Sequence, residues 1–305
     1  NNPGLIYGEI SGYGDDGPLA TKPSLDLIAQ SWTGLRLASG ATLDGTLAHY
    51  EPYFCDYTAG LLLAFGITAA LRQRDTTGLG QRVSTSLAHA GLFVQHRSAS
   101  LFEETDTWKR DLVQRRQAGE PLSDSLADRG QRTAPSVFYF NSYETSDGLV
   151  SVGATGAMGQ RFSEMFDSTD PRTTDAWADR DQRPELLAET RSAIARTMVK
   201  YTTAEVMAML DNAGIPCAPL RLLEELLVDL DAHAARLLYE GEHPRLGRYT
   251  MPAPPVSFSG ATYRARPEVA VHGEHTDELL AELGYDQATI DRLVADGVIA
   301  RSNLD

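Results

Sequence analysis

Hydrophobic residues follow two different periods in the first hundred positions. The runs Leu5–Ile10 and Arg82–Leu87 are short and rich in strand-forming residues, which predicts two β-strands. Longer segments have apolar residues at helical spacing, at 25–33, 56–74 and 88–104. Ser24 is a candidate N-cap for the first of these helices. The alternation predicts a mostly parallel sheet with helices on its faces.

The pattern changes between Thr105 and Thr133, where the chain is charged and has few large apolar residues. Such a segment is typical of a linker, here partly helical. Beyond it, two strand-like runs flank Ser146-Asp147-Gly148, a sequence that predicts a hairpin turn. Helical spacing then returns at 158–166, 185–201, 204–214, 276–284 and 287–296.

These shifts predict the domain organisation. We expect a large domain over 1–104, a linker over 105–133, a small domain over 134–240 and a C-terminal segment over 241–305 that returns to the large domain. The first strand begins almost at once, with nothing before it to pair against. We therefore expect the chain to be the C-terminal part of something longer.

Composition narrows the function classes. The 305 residues are 42% hydrophobic and carry a net charge of -15, which argues against binding to nucleic acid or to an anionic membrane. Two cysteines are too few for a disulfide framework, so we expect a reducing compartment, the cytoplasm. The apolar run Leu61–Leu71 is too short to span a membrane. The histidines lack zinc-ligand spacing, so no metal site is predicted.

Asp56 is the candidate for chemistry, because it stands where an apolar helix begins. One interpretation is an N-cap that accepts hydrogen bonds from free backbone N–H groups. The other is a nucleophile, held ionised by the helix dipole and those N–H donors. Tyr53, Phe54 and Tyr57 would exclude water, and Gly60 would leave room for a bulky ligand.

Several blocks of the chain resemble one family, in that family's order. These are NPGLIYGEISGYGDDGPLATKPSLDLIAQSWTGL, CDYTAGLLLAFGITAALRQRDTTGLGQRVSTSL, TSDGLVSVGA, LDNAGIPCAPLRLLEELLVD, HPRLGRYTMPAPPVSFSG and GEHTDELLAELGYD. They are similar to the class III CoA-transferases, the CaiB/BaiF or carnitine dehydratase-like family. The resemblance implies an α/β fold with a doubly wound (Rossmann-like) large domain, an inserted smaller α/β domain and an interlocked dimer.

The resemblance also implies a mechanism and a set of site residues. Asp56 would attack an acyl-CoA thioester and pass through an aspartyl anhydride and an aspartyl-CoA thioester. Lys22 and Tyr57 would lie beside the CoA, and Gly130 and Gln131 would belong to a mobile glycine loop that shields the intermediate. Acyl-CoA and a carboxylic acid would be the substrates, without a tightly bound cofactor.

Two departures from the family pattern qualify this expectation. Tyr53-Phe54-Cys55-Asp56 replaces an aliphatic V-x-x-[AG]-D, which predicts a differently shaped acyl pocket. A βα portion on the order of a hundred residues precedes these motifs in the family and contributes to the CoA site, and it is absent here.

Alternatives within the family stay open. In a racemase-like pattern a His precedes the loop aspartate, but Leu25 stands there, which argues against a two-base racemase. An isomerase, a dehydratase and a non-catalytic partner subunit remain. The long linker predicts a homodimer, because such a segment is unusual without a partner to wrap.

Overall fold

The chain divides into two compact units, Asn1–Arg129 and Gly130–Asp305. The computed structural model describes residues 2–38, 42–43, 46–47, 52–96, 98–133, 139–179, 182–243, 247–260 and 270–302. The domain limits predicted from the sequence are finer than this division and stay a prediction, as does the return of 241–305 to the large domain.

The first unit alternates helices and strands, as the hydrophobic pattern predicted. Its elements are β1 (Tyr7–Ser11), α1 (Asp26–Trp32), α2 (Leu35–Ala38), β2 (Thr42–Leu43), β3 (Thr46–Leu47), α3 (Phe54–Thr77), β4 (Arg82–Ser86), α4 (Leu87–Phe93) and α5 (Thr107–Gln117), and α6 (Leu122–Thr133) begins in this unit and ends in the second. β1 and β4 pair in parallel, from Tyr7 opposite Arg82 to Ser11 opposite Ser86. The parallel pairing of the two predicted strands is confirmed.

Helix α3 packs directly on this pair of strands. A Cβ atom at Gly66 would lie 2.7 Å from Cγ1 of Val83, and one at Gly8 would lie 2.8 Å from Cδ1 of Ile67. The two glycines therefore allow helix and strand backbones to approach more closely than side chains would permit.

The N-terminal turns of α3 meet α1 and α4 through small side chains. A buried cluster joins these helices: Ala29, Cys55, Ala59, Leu87 and Ala90. A Cβ atom at Gly91 of α4 would lie 3.2 Å from Sγ of Cys55. Because small residues allow close packing, the start of α3 is held next to the start of α1.

Two predicted details of this unit are wrong, and the partly helical character of the charged segment is confirmed. Leu25 is the N-cap position of α1, and Ser24 donates its hydroxyl to Leu25 O at 3.3 Å instead of capping the helix. α4 ends at Phe93, far short of 104, and a turn follows it at 94–96. The charged segment contains α5 and α6, held together by Arg115, which pairs with the carboxylates of Asp111, Glu120 and Asp128.

Helix α3 is longer than the apolar run on which the sequence argument against a membrane span was based. It extends over 24 residues, beyond the run that the sequence singled out, and it is long and apolar enough to cross a membrane by length and composition. Core helices of soluble proteins pass the same test, so this is weak evidence for a span.

The second unit is built on an antiparallel sheet. Its elements are β5 (Phe140–Glu144), β6 (Leu149–Gly153), α7 (Met158–Met165), α8 (Arg183–Met198), α9 (Thr203–Asn212), β7 (Cys217–Pro219), α10 (Leu223–Leu226), α11 (Leu230–Ala234), β8 (Leu238–His243), β9 (Gly247–Pro252), α12 (Thr276–Glu282) and α13 (Gln287–Ala295). The predicted hairpin is confirmed, because β5 and β6 pair antiparallel. β7 joins β6, and a core that includes Phe162, Ile194 and Leu210 packs on the sheet.

Candidate active site

Asp56 lies in the first turn of α3, but it is not the cap of that helix. The helix begins at Phe54, and Tyr53 occupies the N-cap position without a side-chain hydrogen bond. The backbone N–H groups of Cys55 and Asp56 donate to Oδ2 of Asp26, at 2.8 and 3.0 Å. The interpretation of Asp56 as an N-cap is therefore wrong, because a carboxylate from another helix takes the free donors.

Asp26 is the first residue of α1 and is only 4% exposed. Its other carboxylate oxygen accepts a hydrogen bond from Nε2 of Gln30, one turn later on the same helix. Gln30 also donates to Pro52 O at 3.3 Å, just before α3. Asp26 and Gln30 together tie the start of α1 to the start of α3.

The pKa of Asp56 is raised, first by loss of hydration and then by the negative charge of Asp26. This is the opposite of the sequence argument, in which N–H donors were to hold the carboxylate ionised. Those donors bind Asp26 instead, so they bring a second negative charge close to Asp56. A carboxylate with a raised pKa is more basic, which makes its ionised form a stronger nucleophile.

The side chain of Asp56 is exposed, and there is open space beside it. A Cβ atom at Gly60, one turn along the same helix face, would meet no atom within 4 Å. Tyr57 is 64% exposed and lies edge-on to Tyr53, with ring centroids 6.4 Å apart. The aromatic neighbours therefore do not exclude water from Asp56 in the described part of the chain, contrary to expectation.

Cys55 is not a rival nucleophile, although it precedes Asp56. Its side chain is fully buried. Burial, followed by the charges of Asp26 and Asp56, raises the pKa of its thiol to about 12. A thiol that stays protonated and inaccessible is unreactive.

Lys22 belongs to the same unit and lies in the loop before α1. It is exposed, and its backbone N–H donates to Leu19 O at 2.9 Å. A Cβ atom at Gly12 would lie 2.6 Å from Cβ of Ser24, so the turn after β1 packs against the segment that follows Lys22. Leu25, at the position of the racemase-like His, is also exposed.

Gly130 and Gln131 do not form a loop in the structure. Both lie in the last turns of α6, in the second unit, whereas Asp56, Tyr57 and Lys22 lie in the first. A Cβ atom at Gly130 would meet no atom within 4 Å, and the side chain of Gln131 is outside the described residues. The expectation of a glycine loop at these positions is wrong, because the helix continues through them.

Sequence reasoning missed Asp26 and Gln30 as part of the site. Both stand four residues apart in KPSLDLIAQ, and that spacing puts a carboxylate and an amide on one helix face. An acidic residue on the buried face of a short helix was the available signal. Within the described ranges, no cluster of three His, Cys, Asp or Glu side chains is arranged to hold a metal ion.

Known proteins resemble this chain in sequence and in fold. Residues 1–276 match the profile of CoA-transferase family III. The chain is 26% identical to the succinyl-CoA:glutarate CoA-transferase of Mus musculus, over 97% of this chain and 64% of that protein. It is 26% identical to a formyl-CoA:oxalate CoA-transferase of Rhodopseudomonas palustris, over 98% and 71%. The chain thus spans about two thirds of the length of these relatives.

Solved structures give the same result for the fold. A protein from Mycobacterium tuberculosis superposes with a TM-score of 0.67 at 18% identity, over 92% of this chain and 68% of that one. A CaiB/BaiF family protein from Brucella suis superposes with a TM-score of 0.61 at 19% identity, over the same shares. The profile match covers most of the chain, and we conclude that the chain belongs to CoA-transferase family III.

Proposed function

We propose that this chain carries the catalytic aspartate of a class III CoA-transferase, which moves CoA from an acyl-CoA thioester to a carboxylic acid. Asp56 is the nucleophile. The observation that carries this proposal is the placement of Asp56: an exposed carboxylate of raised pKa, in the first turn of α3, beside the open face at Gly60.

The chemistry is a sequence of four acyl transfers. The Asp56 carboxylate attacks the donor thioester carbonyl, and the CoA thiolate leaves to give a mixed anhydride. The thiolate then attacks the aspartyl carbonyl and releases the donor carboxylate. The acceptor carboxylate attacks the aspartyl-CoA thioester, which frees the thiolate again. Finally the thiolate attacks the acceptor acyl carbonyl of the second anhydride, and Asp56 is regenerated.

The remaining site residues have supporting roles in this proposal. Lys22 binds the phosphates or pantetheine of CoA by charge, and Tyr57 provides an exposed aromatic face near the thioester. The enzyme uses acyl-CoA as a substrate and holds no tightly bound cofactor. We assign no CoA contact to Gly130 or Gln131, because helix α6 replaces the expected loop.

We further propose the assembly that the family resemblance implies. The large domain is doubly wound, and two copies form an interlocked homodimer in the cytoplasm. The exposed apolar residues of α3 support a larger assembly, since a stripe of this kind is usually covered. Sedimentation equilibrium tests it: a fully active monomer at micromolar concentration would contradict the dimer.

The main experiment is mass spectrometry of the protein mixed with a panel of acyl-CoA esters, including succinyl-CoA and formyl-CoA. We expect an adduct on the peptide that contains Asp56, and hydroxylamine should remove it. Asp56→Ala and Asp56→Asn should form none, while Asp75→Asn, at the exposed far end of the same helix, should react normally. Normal transfer by Asp56→Ala would refute the mechanism.

The same samples separate transfer from the racemase alternative. A transferase exchanges CoA between two acids and leaves the α-hydrogen of the donor in place. Incorporation of deuterium from D₂O at the α-carbon, without CoA exchange, would instead indicate proton-transfer chemistry.

A further inference from the structure

We infer that Asp26 is a positioning residue for Asp56, which it holds through the backbone of α3 and keeps in an environment of raised negative charge. The inference rests on the proposed function of Asp56 as nucleophile. Asp26 does not touch the substrate in this assignment. It acts on the reaction only through the helix that carries the nucleophile.

The hydrogen bonds of Asp26 fix the position of the first turn. One oxygen accepts from two consecutive N–H groups, those of Cys55 and of Asp56 itself. The other accepts from Gln30, which also donates to Pro52 O. The N–H of Cys55 is buried, so losing its acceptor would leave an unsatisfied donor away from water, which is destabilising. Without Asp26 the first turn would have to find other acceptors, and the nucleophile would move with it.

The contact between Asp26 and the start of α3 also places the negative charge of Asp26 near the carboxylate of Asp56. Asp26 is 4% exposed, so water screens it poorly, and its Oδ2 lies 3.0 Å from the backbone nitrogen of Asp56. Cys55 and Tyr57 are the titratable neighbours of Asp56 on α3. His89 is the titratable residue of α4, which also packs on α3, and its Nδ1 contacts the hydroxyl of Ser86 at 3.0 Å. The strands contact α3 about ten residues further along, at Gly66 and Ile67.

Two substitutions at Asp26 separate its effect on the position of Asp56 from the effect of its negative charge. Asp26→Asn keeps an oxygen for the two N–H groups, and its amide can face Gln30 if the Gln30 side chain turns over. Asp26→Ala removes both the acceptor and the charge. Asp75→Asn serves as the control for loss of a carboxylate on α3.

Charge is tested by labelling with a carbodiimide and a small amine, followed by peptide mass spectrometry at a series of pH values. Only protonated carboxyl groups react readily, so the labelling of Asp56 falls off around its pKa. We expect Asp26→Asn to move this midpoint to lower pH, and Asp75→Asn to leave it in place. An unchanged labelling midpoint in Asp26→Asn would overturn the part of the inference that concerns the effect of the Asp26 charge on Asp56.

Position is tested by the rate at which acyl-CoA modifies Asp56. We expect Asp26→Ala to lower this rate on the order of 10- to 100-fold, the cost of a small misplacement of a reacting group. Asp26→Asn should retain more of the rate than Asp26→Ala at a pH where Asp56 is ionised. A folded Asp26→Ala variant with the wild-type rate would overturn the positioning role, and if that variant does not fold, the Asp26→Asn comparison still decides.

The outcomes distinguish this inference from the proposed function. If wild-type Asp56 is acylated but neither Asp26 variant changes its midpoint or rate, the inference fails and the transferase stands. If wild-type Asp56 is never acylated, the proposed function fails, whereas a shifted labelling midpoint in Asp26→Asn would still establish the contact between the two carboxylates.

Discussion

Asp56 is a residue that the fold holds next to a second carboxylate. The arrangement depends on a contact between residues 30 positions apart, and no local pattern contains it. The sequence therefore predicted that an acidic residue starts α3 and proposed its role. It could not predict that Asp26 takes the helix donors, because capping by a neighbouring helix is a tertiary interaction.

Replacement of Asp56 should stabilise the fold at neutral pH. A carboxyl whose folded pKa is raised favours the folded state below its unfolded pKa, and that contribution is lost as pH rises through the folded pKa. Asp56→Asn cannot ionise, so it should gain a few tenths of a kcal/mol at pH 7, a small value because solvent screens an exposed carboxylate.

Thermal unfolding of wild type and Asp56→Asn at pH 7 and at low pH measures this effect. The gain should disappear once the pH falls below the unfolded pKa of an aspartate, about 3.9. Asp75→Asn is the control. A lower melting temperature for Asp56→Asn than for wild type at pH 7 would contradict the prediction.

Asp170 shows the opposite behaviour in the second unit. It is 3% exposed and accepts hydrogen bonds from Arg172 at the backbone N–H (2.9 Å), at Nε (3.1 Å) and at the terminal guanidinium nitrogen (2.8 Å). Burial opposes its ionisation, but these bonds outweigh burial and lower its pKa. Its ionised form therefore stabilises the fold above the unfolded pKa, and the contribution is lost as pH falls through the folded pKa.

Asp170→Asn should destabilise this unit by about 2–3 kcal/mol at pH 7, the range for hydrogen bonds to charged groups. The difference from wild type should narrow in acid, because the contribution of the ionised carboxylate is present above the unfolded pKa and is lost as pH falls through the lowered folded pKa. Urea unfolding at pH 7 and pH 3 would measure the loss of stability and its change with pH, with the exposed Asp175→Asn as control. A difference that is the same at both pH values would show that the charge is irrelevant.

At the scale of elements, the sequence predicted those strands and helices that have a repeated, local pattern of residues. β1, β4 and the β5–β6 hairpin follow from strand-forming runs and turn residues; β1 and β4 lie within two residues of their predicted limits, and the hairpin turns where predicted. The predicted helix at 88–104 ends early and α6 extends through Gly130, because the end of a helix depends on small local preferences that tertiary contacts override.

Helix α3 presents an apolar stripe to solvent. Leu61 and Phe65, one turn apart, are 72% and 76% exposed. We expect Leu61→Gln together with Phe65→Gln to change the stability of the chain as a monomer by less than about 0.5 kcal/mol, since neither side chain is buried within a single chain. The pair should also reduce self-association and binding of an apolar dye.

The matched contrast is Ile67→Gln, because Ile67 packs over Gly8 on the other face of the helix. Ile67→Gln should clearly lower the free energy of unfolding of the first unit. A large loss of stability in the Leu61 and Phe65 variant, dependent on protein concentration, would mean that a partner covers the stripe in solution.

At the scale of the whole molecule, charge sets the conditions for binding an anionic substrate. In the proposed function, the net charge of -15 repels acyl-CoA at long range, so a local cation has to offset the repulsion where acyl-CoA would bind. The composition predicted that this acidic protein would need a cation at the place where an anionic ligand binds. The role of Lys22 beside the ligand stays a proposal, because it depends on how the loop after β1 folds.

Lys22→Ala should raise the Michaelis constant for acyl-CoA up to about fivefold, the effect of losing an exposed ion pair of about 1 kcal/mol. The difference should shrink as salt is added, because salt screens exposed charges. Lys200→Ala, an exposed lysine of the second unit, is the control. An unchanged Michaelis constant for Lys22→Ala at low salt would remove Lys22 from the site.

The contact between Asp26 and the start of α3 has an energetic consequence for the proposed reaction cycle. When Asp56 becomes an anhydride or a thioester, its side chain loses its negative charge, and the repulsion from Asp26 disappears with it. The free enzyme is thus the electrostatically strained member of the cycle, and each covalent intermediate is relaxed. The repulsion that raises the pKa of Asp56 also lowers the free energy of the two intermediates relative to the resting enzyme.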